Sequence, residues 1–417
     1  MTTQHPAHAS ADLAVTILGA GHIGFAIALL LKQAGGYRLT VADRDPSRLA
    51  EAAALGVHTQ LLSDEPSLQA AVQGRFAVLN ALPYHRAVAV ATLCVQAGVH
   101  YFDLTEDVQS THAIRRLAVE GRAGGAAQSV LMPQCGLAPG FIGIVGQDLA
   151  SRFDTLHTLR MRVGALPRYP QGALRYNLTW STEGLINEYC NPCEAIVDGV
   201  RTTVPALEGL ETFALDGVEY EAFNTSGGLG TLTETLAGKA RQVDYQSIRY
   251  PGHCAILKLL LNDLRLRDRR DLLKDMLETA IPTTDQDVIV VFASASGLRG
   301  GRLVQHSYSA RIVGAPVAGH TLSAIQLTTA AGICTALDLV AQGRLPQKGF
   351  VGQEAVPLAD FLDNRFGTAT QAMKGRFSPT TNACSSAGSA STASSRSPGG
   401  TFSPVEVTMI SLMRPRM

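Results

Sequence analysis

The chain has 417 residues, of which 46 % are hydrophobic and 17 % charged, and its 35 basic residues are balanced by 35 acidic ones. That is length for two domains and apolar content for substantial cores. A formal charge of zero without a basic stripe excludes a long-range field toward nucleic acid or an anionic membrane, which leaves small polar or zwitterionic partners.

The first segment, MTTQHPAHASADLA, lacks the apolar core of a signal peptide, and the apolar runs stop short of a membrane span. The reading is a cytoplasmic protein. Seven cysteines, an odd number scattered along the chain, form no disulfide framework and fit a reducing compartment.

LAVTILGAG (13–21) reads as a short apolar strand running into Gly19-x-Gly21-x-x-Gly24, and FAIALLLKQAG continues at helical spacing. Gly19 makes the turn, Gly21 lets backbone approach a pyrophosphate, and Gly24 lets helix and strand pack closely. His22 and Ile23, between the glycines, belong to the same predicted cofactor site, where a helix N-terminus meets phosphates. The next strand, RLTVADRD (38–45), ends in Asp43. A carboxylate there accepts hydrogen bonds from the ribose hydroxyls and repels a 2′-phosphate, which favours NAD. Arg44 beside it is what an NADP enzyme would use, so NADP stays open.

Short apolar strands at 56–62, 76–82, 100–105 and 129–136 alternate with helical segments. This is the rhythm of an α/β fold with a doubly wound parallel sheet, a Rossmann domain. In such sheets the ligand lies outside the carboxyl ends of the strands. Asn80, Ala81, Leu82 and Pro83 fall there, as do Asp103 to Asp107 and Gln134 to Gly140, and all three loops are expected to border a nicotinamide. Helix capping and chain turning are the competing use of the same residues.

Beyond Pro139 a helix (FIGIVGQDLASRF) leads into a strand-rich region. LETFALDGVEYEAF carries Asp216-Gly217 between alternating residues, the signature of a type I′ hairpin, and 288–313 predicts a second hairpin. TLSAIQLTTAAGICTALDLVAQG (321–343) has an apolar stripe wide enough to return and cover the first domain. From about Lys374 the chain turns Ser/Gly/Ala-rich and reads as disordered, with one apolar patch at 407–413.

The pair Cys190-Asn191-Pro192-Cys193 invites a redox or zinc reading. Ser181 is a natural N-cap for a helix TEGLINEY that Asn191-Pro192 ends, so Cys190 lies at a helix C-terminus, where the dipole disfavours thiolate. A closed zinc site needs four ligands, and no second knuckle or His pair accompanies these two, so no metal is expected.

Several motifs in order resemble the saccharopine dehydrogenase-like oxidoreductases, and within them most closely the lysine 6-dehydrogenase branch. They are Gly136-Leu137-Ala138-Pro139-Gly140, Tyr176-Asn177 with Glu183-Gly184-Leu185, Phe223-Asn224-Thr225-Ser226-Gly227-Gly228, and Ile248-Arg249-Tyr250-Pro251-Gly252-His253. The resemblance spans roughly residues 13–366. It implies a Rossmann domain at 12–139 completed by 319–366, an inserted α+β substrate and oligomerisation domain at 140–318, and a tail at 374–417. It also implies a homo-oligomer, dimer or tetramer, with a small amino acid as substrate.

The implied reaction is NAD-dependent oxidative deamination of the lysine ε-amine to 2-aminoadipate 6-semialdehyde, which cyclises. Alternatives are oxidation of saccharopine, a secondary amine, and a non-catalytic NAD-binding regulator. An alkylammonium must lose a proton before its C–H bond can be oxidised, and a carboxylate is best held by a guanidinium fork. Arg249 is expected to hold the substrate carboxylate, and Glu183, His253 and Asp103 are the candidate proton acceptors. Tyr176, Asn224 and Ser226 are candidate orienting groups. One departure stands out: where lysine 6-dehydrogenases continue from Asp-Leu into glycines, this chain has Thr105-Glu106-Asp107.

Overall fold

The computed structural model describes residues 12–123, 129–368 and 375–381. Its first half alternates β1 (Leu13–Leu18), α1 (His22–Ala34), β2 (Tyr37–Asp43), α2 (Pro46–Ala54), β3 (His58–Leu61), α3 (Glu65–Val72), β4 (Ala77–Asn80), α4 (Ala87–Ala97), β5 (His100–Asp103), α5 (Val108–Ala123) and β6 (Val130–Met132). The strands form a seven-stranded parallel sheet in the order Gly349–Phe350, β6, β5, β4, β1, β2, β3. β1 is buried from Ala14 onward, as an unalternated apolar run must be in a strand covered on both faces.

After α6 (Phe141–Ala150) the chain builds a nine-stranded mixed sheet. Its elements are β7 (Thr155–Pro167), α7 (Thr182–Cys190), β8 (Cys193–Val197), β9 (Val200–Val204), β10 (Glu211–Leu215), β11 (Val218–Asn224), α8 (Leu232–Leu236), β12 (Ala240–Arg249), α9 (His253–Lys258), α10 (Arg270–Ala280), β13 (Asp287–Arg299) and β14 (Arg302–Val313). The path runs β10, β11, β12, β7, β13, β14 and then Arg376–Thr381, with β8 on β12 and β9 on β8. β12 and β7 are parallel and the other pairs antiparallel. Asp216 and Gly217 sit at φ +50° and +80°, so the expected type I′ hairpin forms between β10 and β11. Asp198 and Gly199, at +50° and +83°, make the same turn between β8 and β9.

The reading of 374–417 as a tail is corrected at its start, because Arg376–Thr381 pairs antiparallel with β14 from Ser309 to Val304. A Ser-rich stretch begins only after that strand; residues 382–417, including the apolar patch at 407–413, lie outside the described residues.

α11 (Ala324–Ala341) joins the halves. It packs against α1, β5 and β13, and one apolar cluster runs from Val15 and Leu79 through Ile333 and Leu337 to Ile289 and Val291. On composition it is long enough to cross a membrane, but 78 % of it is buried within the protein, so it is a core helix. Its N-terminus is capped twice. Ser323 and Gln326 form a capping box, and Asp287 of β13 accepts from the N–H groups of Ala324 (2.5 Å) and Ile325 (2.9 Å). Farther along, buried Asp338 accepts from the Tyr37 hydroxyl at 2.7 Å and pairs with Arg365 at 2.7 Å, tying α11 to β2.

Candidate active site

The glycine turn after β1 has three different environments. A Cβ at Gly24 would stand 1.8 Å from the Gly19 carbonyl oxygen, and one at Gly19 would meet the Ala81 carbonyl at 3.0 Å on a backbone with φ +98°. Neither position tolerates a side chain. At Gly21 a Cβ would meet only Arg48 Nη1, at 3.4 Å, so this glycine faces open space. Gly21 is also the N-cap of α1 and offers no side-chain hydrogen bond, so the first N–H groups of the helix, at His22, Ile23 and Gly24, are left to bind an anion. These residues fit a dinucleotide pyrophosphate.

Asp43, at the carboxyl end of β2, accepts from Ala20 N–H at 2.6 Å and from Asp45 N–H at 2.9 Å, which fixes the turn and the place of its carboxylate beside the glycine loop. Arg44 is exposed, and Arg48 pairs with Asp45 at 3.6 Å. Asn80 donates to the Tyr101 hydroxyl at 3.1 Å and accepts from Leu82 N–H at 3.2 Å, shaping the Ala81-Leu82-Pro83 loop beside Gly19.

At the end of β5, Asp103 is 1 % exposed. It accepts from the Tyr101 hydroxyl (2.7 Å), Thr105 N–H (3.0 Å) and Gln134 N–H (2.9 Å). Burial pushes its carboxyl up to about 6 against the pull of those hydrogen bonds. With both oxygens bonded inside the protein, Asp103 ties β5 to the loop after β6. Being almost fully enclosed as well, it is closed to a substrate, which corrects its candidacy as the direct proton acceptor. Asp107 accepts from Ser110 N–H at 2.7 Å and caps α5.

The second half supplies a buried guanidinium. Arg249, at the end of β12, is 3 % exposed and lies over the rings of Tyr176 and Tyr189, 5.1 and 5.5 Å from their centroids. Its Nε donates to the Tyr189 hydroxyl at 2.8 Å, its Nη1 to the Ile248 carbonyl at 2.8 Å, and its Nη2 reaches Glu188 Oε2 at 3.5 Å. Glu188 is 7 % exposed; burial pushes its carboxyl up to about 7, opposed by Arg249 and reinforced by Glu106. The Tyr176 hydroxyl, buried beside Thr179 and Trp180, has no well-aligned hydrogen-bond partner among the described residues.

Four expected site residues take other roles. Glu183 projects from the first turn of α7 and pairs with Lys274 of α10 at 2.7 Å, away from the Arg249 cluster. His253 touches the cluster only from behind: the Leu174 carbonyl, 2.9 Å from Nδ1, can only accept, so Nδ1 carries the proton and Nε2 accepts from the Tyr189 hydroxyl at 3.1 Å. With both nitrogens engaged and burial pushing it down to about 3, His253 stays neutral and is a positioning residue rather than a base. Asn224 bonds to Gln246 and the Pro205 carbonyl, and Ser226 to the Pro192 carbonyl, so both hold loops.

The sequence reading missed Glu188 and Asn187 and treated Glu106 only as a departure. Glu106 arrives from the β5–α5 loop, with its Oε1 3.1 Å from the point where a Cβ at Gly184 would stand and Asn187 in hydrogen-bonding reach. The cysteine pair contributes nothing to this cluster. Cys190 and Cys193 are free thiols, α7 starts on Ser181 as expected, and burial with Glu188 pushes Cys193 up to about 12.

A parallel sheet with an open glycine turn and an acidic residue ending its second strand has the form of a nicotinamide-dinucleotide oxidoreductase. The chain belongs to the saccharopine dehydrogenase family: residues 15–127 match its NADP-binding domain and residues 136–365 its C-terminal domain. Among solved structures, 89 % of the chain covers all of apo saccharopine dehydrogenase (L-Glu forming) from Saccharomyces cerevisiae, with TM-score 0.70 and 16 % identity. A probable dehydrogenase from Thermotoga maritima matches over 87 % of this chain and 97 % of its own, with TM-score 0.42 and 13 % identity. A myo-inositol dehydrogenase from Corynebacterium glutamicum matches over 89 % and 100 %, with TM-score 0.42 and 15 % identity. The first likeness shows a shared fold, and the weaker two add nothing to it.

Proposed function

We propose that the chain oxidises a carbon–nitrogen bond of an amino acid, and that its substrate is lysine, deaminated at the ε-amine to 2-aminoadipate 6-semialdehyde. The observation that carries this reading is the buried Arg249 facing Glu188 at 3.5 Å. A guanidinium and a carboxylate set side by side match the α-carboxylate and α-ammonium of a zwitterion. Arg249 binds the carboxylate, the Tyr176 hydroxyl donates to it, and Glu188 holds the ammonium.

Charge supports lysine over saccharopine. Two acids, Glu188 and Glu106, lie close to one another on the side of Arg249, while Arg270 is bonded to Asn187 (2.7 Å) and Asn191 (2.8 Å). Lysine, with one carboxylate and two ammonium groups, suits that balance. Saccharopine carries three carboxylates and would bring unpaired negative charge to buried acids.

When bound, the nicotinamide accepts the two electrons of the C–H bond. The chain's own residues orient the amine, exclude water and take up its proton. Asp43 makes NAD the preferred form, since its charge opposes a 2′-phosphate.

The test is a rate screen of lysine, ornithine, saccharopine and diamines with both dinucleotides, trapping the cyclic product with 2-aminobenzaldehyde. NAD reduction with lysine is expected. Turnover of saccharopine without lysine would replace the substrate, and dinucleotide binding without turnover of any amine would make the chain a regulator.

A further inference from the structure

We propose that Glu106 is the catalytic proton acceptor, completing with Glu188 an acidic pair assembled from the two halves of the molecule. The inference rests on the amine-oxidising reading above and deepens it.

Glu106 lies three residues beyond Asp103, at the carboxyl end of β5, the edge of a parallel sheet where ligands bind. It is held there by contacts from the other half. Its carbonyl oxygen would stand 2.7 Å, and its Cβ 3.2 Å, from a Cβ at Gly227, while its Oε1 stands 3.1 Å from one at Gly184. Both glycines leave room for this side chain. Asn187, three residues after Gly184, reaches the same carboxylate, and Glu188 follows on the same helix.

The acids facing Glu106 are Asp103 and Asp107 from its own loop and Glu188 from α7, the last compensated by Arg249; Asn187, Gly184 and Gly227 bring no charge. Burial, helped by the charges of Asp107 and Asp103, holds the Glu106 carboxyl above its usual range, against its bonds to its own backbone N–H and to Asn187. Such a group is a better base than an exposed carboxylate. The Tyr176 hydroxyl, without a well-aligned hydrogen-bond partner among the described residues, lies under the charges of the same Arg249 and Glu188.

The substrate ammonium gives a proton to Glu106 and becomes a neutral amine. Its carbon loses hydrogen with the C–H electron pair to the bound nicotinamide as the nitrogen lone pair forms C=N. Water adds to that carbon, the C–N bond breaks, ammonium and aldehyde leave, and Glu106 returns its proton to solvent.

The test compares Glu106→Gln and Glu106→Asp with the native enzyme on whichever amine the latter oxidises. Glu106→Gln keeps the volume and a bond to Asn187 but cannot accept a proton. Its kcat is expected to fall about 10²–10⁴-fold and to lose the acidic limb of its pH profile. Dinucleotide Kd and melting temperature should hold, and Glu106→Asp should recover part of kcat. Native-like kcat and pH profile in Glu106→Gln would overturn the proposal. If the native enzyme oxidises saccharopine rather than lysine, the substrate reading fails while Glu106 is still read on the secondary amine. If it oxidises neither, both fall.

Discussion

Tyr189 aims Arg249. The phenol oxygen accepts from Arg249 Nε at 2.8 Å and passes its own proton toward His253 Nε2 at 3.1 Å, whose ring is anchored at Leu174. The direction of every bond in this relay follows from a carbonyl at one end and a guanidinium at the other. Tyr189→Phe leaves the Arg249 Nε–H without an acceptor in a buried place. It is expected to cost about 1–3 kcal/mol of stability by chemical denaturation and to raise KM for the amino acid.

Arg249→Lys keeps the charge and loses the fork. Removing a charge-assisted bond of about 1.5–3 kcal/mol should raise KM for the carboxylate-bearing substrate about 10–100-fold, with dinucleotide affinity near native by fluorescence titration. An unchanged KM would remove Arg249 from carboxylate binding.

Asp43→Asn preserves shape at the end of β2 and removes the charge opposed to a 2′-phosphate. The ratio of kcat/KM for NADP over NAD is expected to rise about ten-fold, roughly 1.4 kcal/mol. The same ratio as the native enzyme would show that Asp43 acts only on the turn, through Ala20 and Asp45.

Asp103 carries a pH signature. Its folded carboxyl, pushed up to about 6, binds its proton more tightly than the unfolded chain does. The stability this adds is full below the unfolded value near 3.8 and is lost as pH rises to about 6. Asp103→Asn keeps acceptors for Thr105 and Gln134. It should flatten the fall in stability between those pH values by about 3 kcal/mol, measured as denaturation midpoints against pH. An identical slope in mutant and native protein would contradict the assignment.

Asp338→Ala strips acceptors from Tyr37, Asn364 and Arg365 at once. Breaking a buried ionic cluster costs about 3–5 kcal/mol, and a lower melting temperature with unchanged substrate specificity is expected.

What the sequence made legible was local. Gly19 and Gly24 are dictated by a turn that leaves no room for Cβ, Ser181 by an orphaned N–H at Gly184, and Asp216-Gly217 by two positive φ angles in a row. Each constraint acts within a few residues, so composition reports it. Glu183 and Glu188 show the limit. Five residues on a helix turn a side chain by about 140°, and nothing in TEGLINEY says which of the two faces will meet β12. Arg249 was found through motif order, but its partners Tyr189 and Glu188 came from packing of α7 on β12. Glu106 was visible as an anomaly; its meaning depended on Gly184 and Gly227, far along the chain. The strand at Arg376–Thr381 was hidden because an edge strand beside β14 needs little apolar periodicity of its own.

The position of α11 sets a schedule for synthesis. The sheet begun at Leu13 has no neighbour beyond β6 until Gly349 and Phe350 arrive, and Tyr37 waits for an acceptor 301 residues later. At roughly 5–20 residues per second, a ribosome needs on the order of 10–40 s to travel from β6 to that closing strand. Throughout that interval the apolar face of α1 has no α11 to cover it. The closing of that face is therefore among the last events of synthesis, and a fragment cut before residue 324 inherits the same unsealed face permanently.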